Sequence, residues 1–344
     1  DDPDQNGLDD TIGYNVNATN ALGKWVMLGI APDCNTYSWI DQDGTYIPSW
    51  YSEQFRDVVS AYRKMYETGG LDPNFYLKNP NEVLTDFVSG KLGALEYKSS
   101  PSSIQLLAEQ WELYNDKPFE ECVDVLPMFP APDGTIYCNS SNPFWSESFI
   151  SSSVDEEKME RILALFDFLL SEEGLHMSKY GLENVDYKID SSGNYTCLLD
   201  TSKTSLLTLL ENKYPSIVLF SGLATWGGSD DDFELNEMNF ARYGKHCVTL
   251  ANKDVTWNKE HATLISRPYD FLISPKDSSE LFSTTNAFSC FIKAIIGSEP
   301  ALSIWDEKID ELKKQGLDDY IKRQNDSYHT LQEKSNTNST AKSN

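Results

Sequence analysis

The sequence predicts an α/β protein of two domains, on three observations. The first is length: 344 residues exceed the roughly 150 that one domain usually takes, and can bury large cores without disulfide or metal staples. The second is the alternation, over residues 50–170, of helical apolar stripes with short apolar strands, the pattern of a sheet covered by helices. The third is composition: 12 % aromatic and 24 % charged residues describe a folded body, not a disordered one.

The elements follow in chain order. Residues 52–68 predict a helix with Phe55, Val58, Val59, Tyr62 and Met65 inward, ended by Gly69-Gly70. Residues 81–89 predict another through Val83, Leu84, Phe87 and Val88. Leu92 to Tyr97, after Gly90, reads as a short buried strand, and Val123 to Leu126 as a second. Pro127, Pro130 and Pro132 then enforce an extended connector, because proline supplies no donor and restricts its predecessor. The clearest helix covers 155–170, where Met159, Ile162, Leu163, Phe166, Leu169 and Leu170 share one face. Ser153 and Glu156 read as its capping box and Gly174 as its stop. Residues 184–257 are the least regular stretch, with Gly227-Gly228, Ser229 and Asp230 to Asp232, and read as a functional loop region. Phe282 to Ile296 is an apolar helix ending at Gly297. Ser303, boxed by Asp306, starts a last helix through Ile304, Ile309 and Leu312 that Gly316 closes. Residues 333–344 lack apolar side chains and are expected to be disordered. There is no internal repeat.

Charge excludes several partners. The chain carries 54 acidic against 28 basic residues, a net −26. That argues against nucleic acid, which needs clustered Lys and Arg, and against anionic lipid surfaces. No apolar run approaches the roughly 20 residues needed to span a bilayer. Asp1 to Asp10 carry no signal sequence, so the chain is either cytosolic or cut from something longer. None of the six cysteines form a Cys-x-x-Cys pair, which disfavours zinc. Their count allows two or three disulfides, but a core this large does not require them, and mostly buried free thiols are expected. The sequons at Asn17, Asn139, Asn194, Asn325 and Asn338 are explained as well by chance in so Asn-, Ser- and Thr-rich a chain.

The chain start has metal-loop spacing. Asp2, Asp4, Asn6 and Asp10 place oxygens at positions 1, 3, 5 and 9 of an EF-hand-like loop, with Gly7 at the sharp turn and the Leu8 carbonyl at position 7. Position 12 is Gly13 instead of the bidentate glutamate. Hard oxygen ligands point to calcium over zinc or copper, and ligands so close in sequence point to a structural ion. The competing reading is an acidic, turn-rich chain end.

Several segments together resemble the extracellular solute-binding lipoproteins of bacterial ABC importers, in the branch of the alginate-oligosaccharide- and other oligosaccharide-binding proteins. They are the loop Asp2–Asp10; Asp41-Gln42-Asp43-Gly44 with Tyr62 to Pro73; Phe87 to Gly93; Leu126-Pro127 with Pro132-Asp133-Gly134; Phe149 to Ser152 with the 155–174 helix and Tyr180 to Tyr187; and Trp305-Asp306, Leu312 to Leu317 and Gln324 to Tyr328. None is specific alone; six in order over residues 1–330 are.

The resemblance implies a two-lobed, periplasmic-binding-protein-like (type II) α/β fold that closes on its ligand by hinge bending. Because members begin with a lipoprotein signal and a long stretch of first lobe, this chain is expected to lack much of that lobe. Residues 1–12 would be the calcium-type loop ending the first-lobe segment, and 13–143 the second lobe. Residues 144–257 would return to the first lobe, 258–332 would pack C-terminal helices mainly on the second, and 333–344 would be the tail. A carbohydrate would bind between the lobes, on aromatic platforms flanked by planar polar groups. Trp145, at the crossing and next to Glu147, is the first candidate platform; Trp226, beside Gly227-Gly228 with Arg242 as polar partner, is the second; Trp39 and Trp257 follow. The implied partners are a carbohydrate and the permease subunits of an ABC transporter, with a monomer working outside the cytoplasm and lipid-anchored at full length.

Two other classes stay open. A glycosidase needs only two suitably spaced carboxylates, and 54 acidic residues offer no pair that spacing singles out. The four histidines form no His-Glu-x-x-His, and there is no Gly-x-Ser-x-Gly elbow, Walker loop or Gly-x-Gly-x-x-Gly. A non-catalytic surface glycan-binding or adhesion module fits the acidity but not the ordered segments.

Overall fold

The computed structural model describes residues 7, 8, 10–16, 23–34, 39–139, 148–216, 230–265 and 282–341. Its described strands are short and pair in twos. β1 (Ile12–Asn15) runs parallel to β4 (Leu92–Leu95), Ile12 opposite Leu92 and Asn15 opposite Leu95. β2 (Trp39–Gln42) and β3 (Thr45–Pro48) form an antiparallel hairpin. β5 (Ile136–Asn139) runs parallel to β8 (Ala262–Ile265), and β6 (Tyr187–Ile189) antiparallel to β7 (Tyr195–Cys197). The mixed α/β class read from the sequence is the one observed.

The chain divides into two units, one of Asp1–Tyr97, Pro127–Ser140 and Glu260–Asn344, the other of Lys98–Leu126 and Ser141–Lys259. In this division residues 98–126 group with the 141–259 segment.

The first unit has the larger core. Its centre is α2 (Phe55–Glu67), whose Phe55, Val58, Val59 and Tyr62 are buried at the spacing of one helical face. Against it lie α11 (Thr284–Ile296) and α12 (Ala301–Lys314), so α2 is joined to residues far downstream, while α1 (Lys24–Ile30) packs on α2 and β5. Phe55 is tilted on Trp305 at 5.1 Å between centroids, and Tyr62 meets Phe291 edge-on at 5.3 Å. Each such aromatic contributes about 1.5–3 kcal/mol by leaving water. Polar clamps fix the layers: Arg56 forks onto the Asp306 carboxylate, and Arg63 donates to the carbonyls of Ile295 and Gly297 that α11 leaves open at its end. The hairpin is pinned to α13 (Leu317–Ala341). Asn325 exchanges two 2.7 Å hydrogen bonds with the Tyr46 backbone, and the Tyr328 hydroxyl donates to Asp41 at 2.8 Å.

The second unit is helical apart from β6 and β7 among its described residues: α4 (Pro101–Tyr114), α5 (Phe119–Cys122), α6 (Glu156–Leu170), α7 (Glu172–Tyr180), α8 (Leu206–Lys213), α9 (Glu237–Tyr243) and α10 (Lys245–His261). Tyr180, Tyr187, Leu206, Leu210 and Met238 make a smaller core. The remaining helix, α3 (Pro80–Val88), belongs to the first unit and starts on a capping box of Asn79 and Glu82.

Several sequence expectations change. Asp155, not Ser153, caps α6, accepting the Lys158 amide. Ser171 both ends α6 and caps α7, so the 155–174 helix is two helices. Val123–Leu126 finds no strand partner and lies in no ladder; the strand in that region is β5. Pro300, not Ser303, precedes α12, without a side-chain cap. Residues 184–257 hold α8, α9 and most of α10, more order than a loop region. The helix α13 continues to Ala341, through much of the tail expected to be disordered. All six cysteines are free thiols: Cys34, Cys247 and Cys290 are buried, Cys138 and Cys197 half-buried and Cys122 exposed. Among the described residues no helix is long and apolar enough to cross a membrane.

Candidate functional site

In open α/β sheets ligands sit outside the carboxyl ends of parallel strands. In the first unit β1 and β4 end together at Asn15 and Leu95. The residues that follow are polar and already braced. Asn15 is fully buried and donates from Nδ2 to Asp72 at 2.7 Å, while its Oδ1 accepts the Val16 amide. Asp72, 1 % exposed, also takes the Asn74 amide at 2.8 Å and pairs with Lys78 at 2.6 Å, so this strand end is held by a satisfied buried network.

Glu96 follows β4 directly. One of its carboxylate oxygens accepts the Tyr14 hydroxyl at 3.3 Å and the other the Trp25 amide at 3.2 Å. Behind it the hydroxyls of Tyr14 and Tyr62 are hydrogen-bonded to each other. Burial, reinforced by the Glu96 charge, pushes both phenols well above their ordinary range, which keeps them neutral donors. Gly23 seals this cluster: a Cβ there would lie 2.5 Å from the Tyr14 hydroxyl and 2.6 Å from that of Tyr62, and its φ of +71° suits glycine. Beside it the Trp25 side chain opens α1 and remains 37 % exposed. Tyr97 is half-buried next in the chain, its phenol raised by burial. An exposed indole can stack an apolar ring face, and a fixed carboxylate can accept hydroxyl protons.

The second unit holds another polar constellation. Lys179 at the end of α7 approaches Asp232 at 3.4 Å and Asp231 at 3.7 Å, and Arg242 on α9 approaches Asp232 at 3.9 Å. Arg242 lies 5.0 Å over the Tyr243 ring. Burial pushes the Tyr180 phenol up to about 12 and that of Tyr243 higher. Asn239 is fully buried, its Nδ2 donating to the carbonyls of Asp231 at 2.6 Å and Glu234 at 3.0 Å. Among the described residues Asn239 Oδ1 and Arg242 Nε and Nη1 have no hydrogen-bond partner. They are one acceptor and two donors of the kind a hydroxyl satisfies.

The sequence-predicted residues are placed as follows. Trp145, Glu147 and Trp226 lie outside the described residues, as do Asp2, Asp4 and Asn6. Arg242 stands in the constellation above. Trp39 is half-buried and stacks on Tyr46 at 5.3 Å against the first unit's core, so its ring already packs on protein. Trp257 is half-buried on α10. Leu8 is exposed, and Gly7 has a φ of +79°, the left-handed turn that position 6 of the metal loop needs. No group of three or more His, Cys, Asp or Glu side chains able to hold a metal occurs among the described residues. Sequence reasoning missed Trp25, Glu96 and Tyr97. The strand over 92–97 was legible, and applying the carboxyl-end rule to it would have drawn out Glu96.

No family model matches the chain. Two curated relatives, both from Bacillus subtilis (strain 168), match part of it. Lipoprotein LipO is 26 % identical over 213 residues, 60 % of this chain and 41 % of the relative. The polygalacturonan/rhamnogalacturonan-binding protein YtcQ is 22 % identical over 204 residues, 57 % of this chain and 38 % of the relative. Among solved structures, an HMO-binding, ABC-transporter-associated solute-binding protein from Bifidobacterium longum infantis ATCC 15697 superposes with a TM-score of 0.58 at 18 % identity, over 95 % of this chain and 66 % of its own. The alginate-binding protein AlgQ2, solved without calcium ion, gives 0.56 at 15 % identity over 94 % and 65 %. An EF-hand mutant of the S. pneumoniae ABC-transporter substrate-binding protein FusA, in complex with fructo-nystose, gives 0.55 at 15 % identity over 97 % and 66 %. The chain thus spans less than two thirds of the length of each. Nearly all of it superposes on them at these TM-scores: its fold is that of the solute-binding proteins of ABC transporters.

Proposed function

We propose that this chain is the ligand-binding body of an extracytoplasmic carbohydrate receptor, which captures an oligosaccharide and delivers it intact to the permease of an ABC importer. The observation that carries this reading is Trp25, partly exposed on α1, whose backbone amide donates to the braced Glu96 carboxylate at the carboxyl end of β4. Within the second unit, Arg242 and Asn239 offer hydroxyl contacts of their own, and Trp145, Glu147 and Trp226 are further platform and polar groups. The protein is a monomer, lipid-anchored at full length, and catalyses nothing. Asp2, Asp4, Asn6, the Leu8 carbonyl and Asp10 hold a structural calcium ion. The left-handed Gly7 and the all-oxygen donor set fit such an ion. Support comes from the polygalacturonan/rhamnogalacturonan-, HMO- and alginate-binding proteins that the chain resembles.

Titration calorimetry against oligosaccharides of polygalacturonate, alginate, fructan and milk glycans tests the reading. Saturable binding of one class, with the sugar recovered unchanged, is expected. Trp25→Ala should weaken that binding by about tenfold or more, the loss typical of a central aromatic anchor, while the melting temperature holds. Release of new reducing ends would instead favour the glycosidase reading, and unaltered affinity in the variant would remove Trp25 from the site.

A further inference from the structure

The two phenols behind Glu96 form a line with a direction. Tyr62, fully buried on α2, and Tyr14, on β1, have their hydroxyls hydrogen-bonded to each other, and Tyr14 donates onward to Glu96 Oε2 at 3.3 Å. A phenol carries a single O–H. With the Tyr14 proton directed to Glu96, the bond between the phenols runs from Tyr62 to the Tyr14 oxygen. Protons therefore point from the core outward, and such a chain polarises cooperatively toward its last acceptor. The backbone at Gly23 closes over both hydroxyls and leaves no room there for a methyl group. Glu96 itself is only half-buried. Its Oε1 accepts the Trp25 amide. A carboxylate has about four lone-pair positions, so positions remain beyond those that Tyr14 and Trp25 fill. Both of these groups donate, and Glu96 turns to a ligand as a charged acceptor.

We propose that Tyr14 and Tyr62 are positioning residues that hold Glu96 as a pure acceptor, and that this subsite thereby takes a neutral glycan and turns away a uronate. The inference rests on the carbohydrate reading of the same site and narrows its ligand class. Sugar hydroxyls bring the hydrogens that the carboxylate lacks. A uronate carboxylate brings only lone pairs and a like charge, which costs binding where water is partly excluded. The net charge of −26 acts in the same direction, since it repels an anionic chain on approach.

Titration calorimetry of neutral fructan and milk-glycan oligomers against oligogalacturonate and alginate oligomers tests it. The parent should bind one neutral class about tenfold or more tighter than either uronate. Glu96→Gln, which replaces an acceptor by an amide that also donates, should weaken the neutral probe roughly tenfold and narrow the gap between the classes. Tyr14→Phe should weaken the neutral probe several-fold in the parent and add no further loss to Glu96→Gln, because it acts through that carboxylate. A Tyr14 with a merely structural role would lose the same factor in both backgrounds. If the melting temperature shows that Tyr14→Phe does not fold, Tyr62→Phe cuts the line one step earlier and is read in the same way. Uronate bound as tightly as the neutral probes by the parent would overturn the ligand class, and equal losses in the two backgrounds would overturn the positioning role. Binding of no glycan of either kind would overturn the carbohydrate reading itself, and this inference with it.

Discussion

The Asp186 carboxylate is fully buried, accepts the Leu182 amide at 2.9 Å on one oxygen, and meets Lys213 Nζ at 2.5 Å with the other. Burial works against its charged form, but the Leu182 amide, Lys213 and Tyr214 outweigh it and hold the carboxyl below the usual carboxylate range. A carboxyl whose folded pKa lies below its unfolded one stabilises the fold above the unfolded pKa, and that contribution disappears as pH falls through the folded one. Asp186→Asn should therefore lose about 2 kcal/mol at neutral pH. The gap from the parent protein should begin to narrow below roughly pH 4, where the unfolded carboxyl protonates, and vanish only once the folded carboxyl protonates too. Urea midpoints at pH 7 and pH 3 check both halves. The segment Tyr180 to Tyr187 was legible as a recognisable stretch of sequence, but its purpose was not, because the counter-charge stands 27 residues away. Glu96 was hidden for the same reason. What marks it is the Tyr14 hydroxyl, 82 residues upstream.

At the scale of elements, legibility followed locality. α2 and α3 were read within a few residues because a helical stripe is written in adjacent turns. α10 was missed because its buried face, Cys247, Val248, Leu250 and Ala251, is small and set among Lys, Asn and Thr. The misplaced strand at 123–126 has the opposite cause: apolar residues suffice to suggest a strand, but a strand exists only where a partner is delivered, and β5 receives β8 from far downstream. α13 continues past its last apolar residues, where composition alone suggested disorder. Its docking is testable. Tyr328→Phe removes the bond to Asp41 while keeping the ring stacked 4.4 Å from Tyr46. The expected cost is about 1 kcal/mol, with faster amide exchange confined to β2, β3 and the part of α13 around residue 328, as followed by mass spectrometry.

For the whole molecule, the fold class and the solute-binding architecture were accessible from six ordered segments. Several of these segments are scaffold. Asp72 braces a strand end, Asp41 takes the Tyr328 hydroxyl, and Asp306 receives Arg56. The resemblance therefore reported the frame more clearly than the binding surface, whose groups are set by the ligand rather than by the core. The calcium reading also belongs at this scale. Calcium added to chelator-treated protein should raise the melting temperature by several degrees, and magnesium should do so less, since a site that binds only the native state stabilises it by mass action. An unchanged melting curve through that titration would remove the ion.

The first unit joins positions that the ribosome makes far apart in time: Arg56 grips Asp306 across 250 residues, and Asp41 meets Tyr328 across 287. Contacts so distant in sequence slow folding. They also mean that the partners of Asp41 and Arg56 emerge only after the intervening second unit has been made, so the larger core closes around a chain whose other unit is already synthesised.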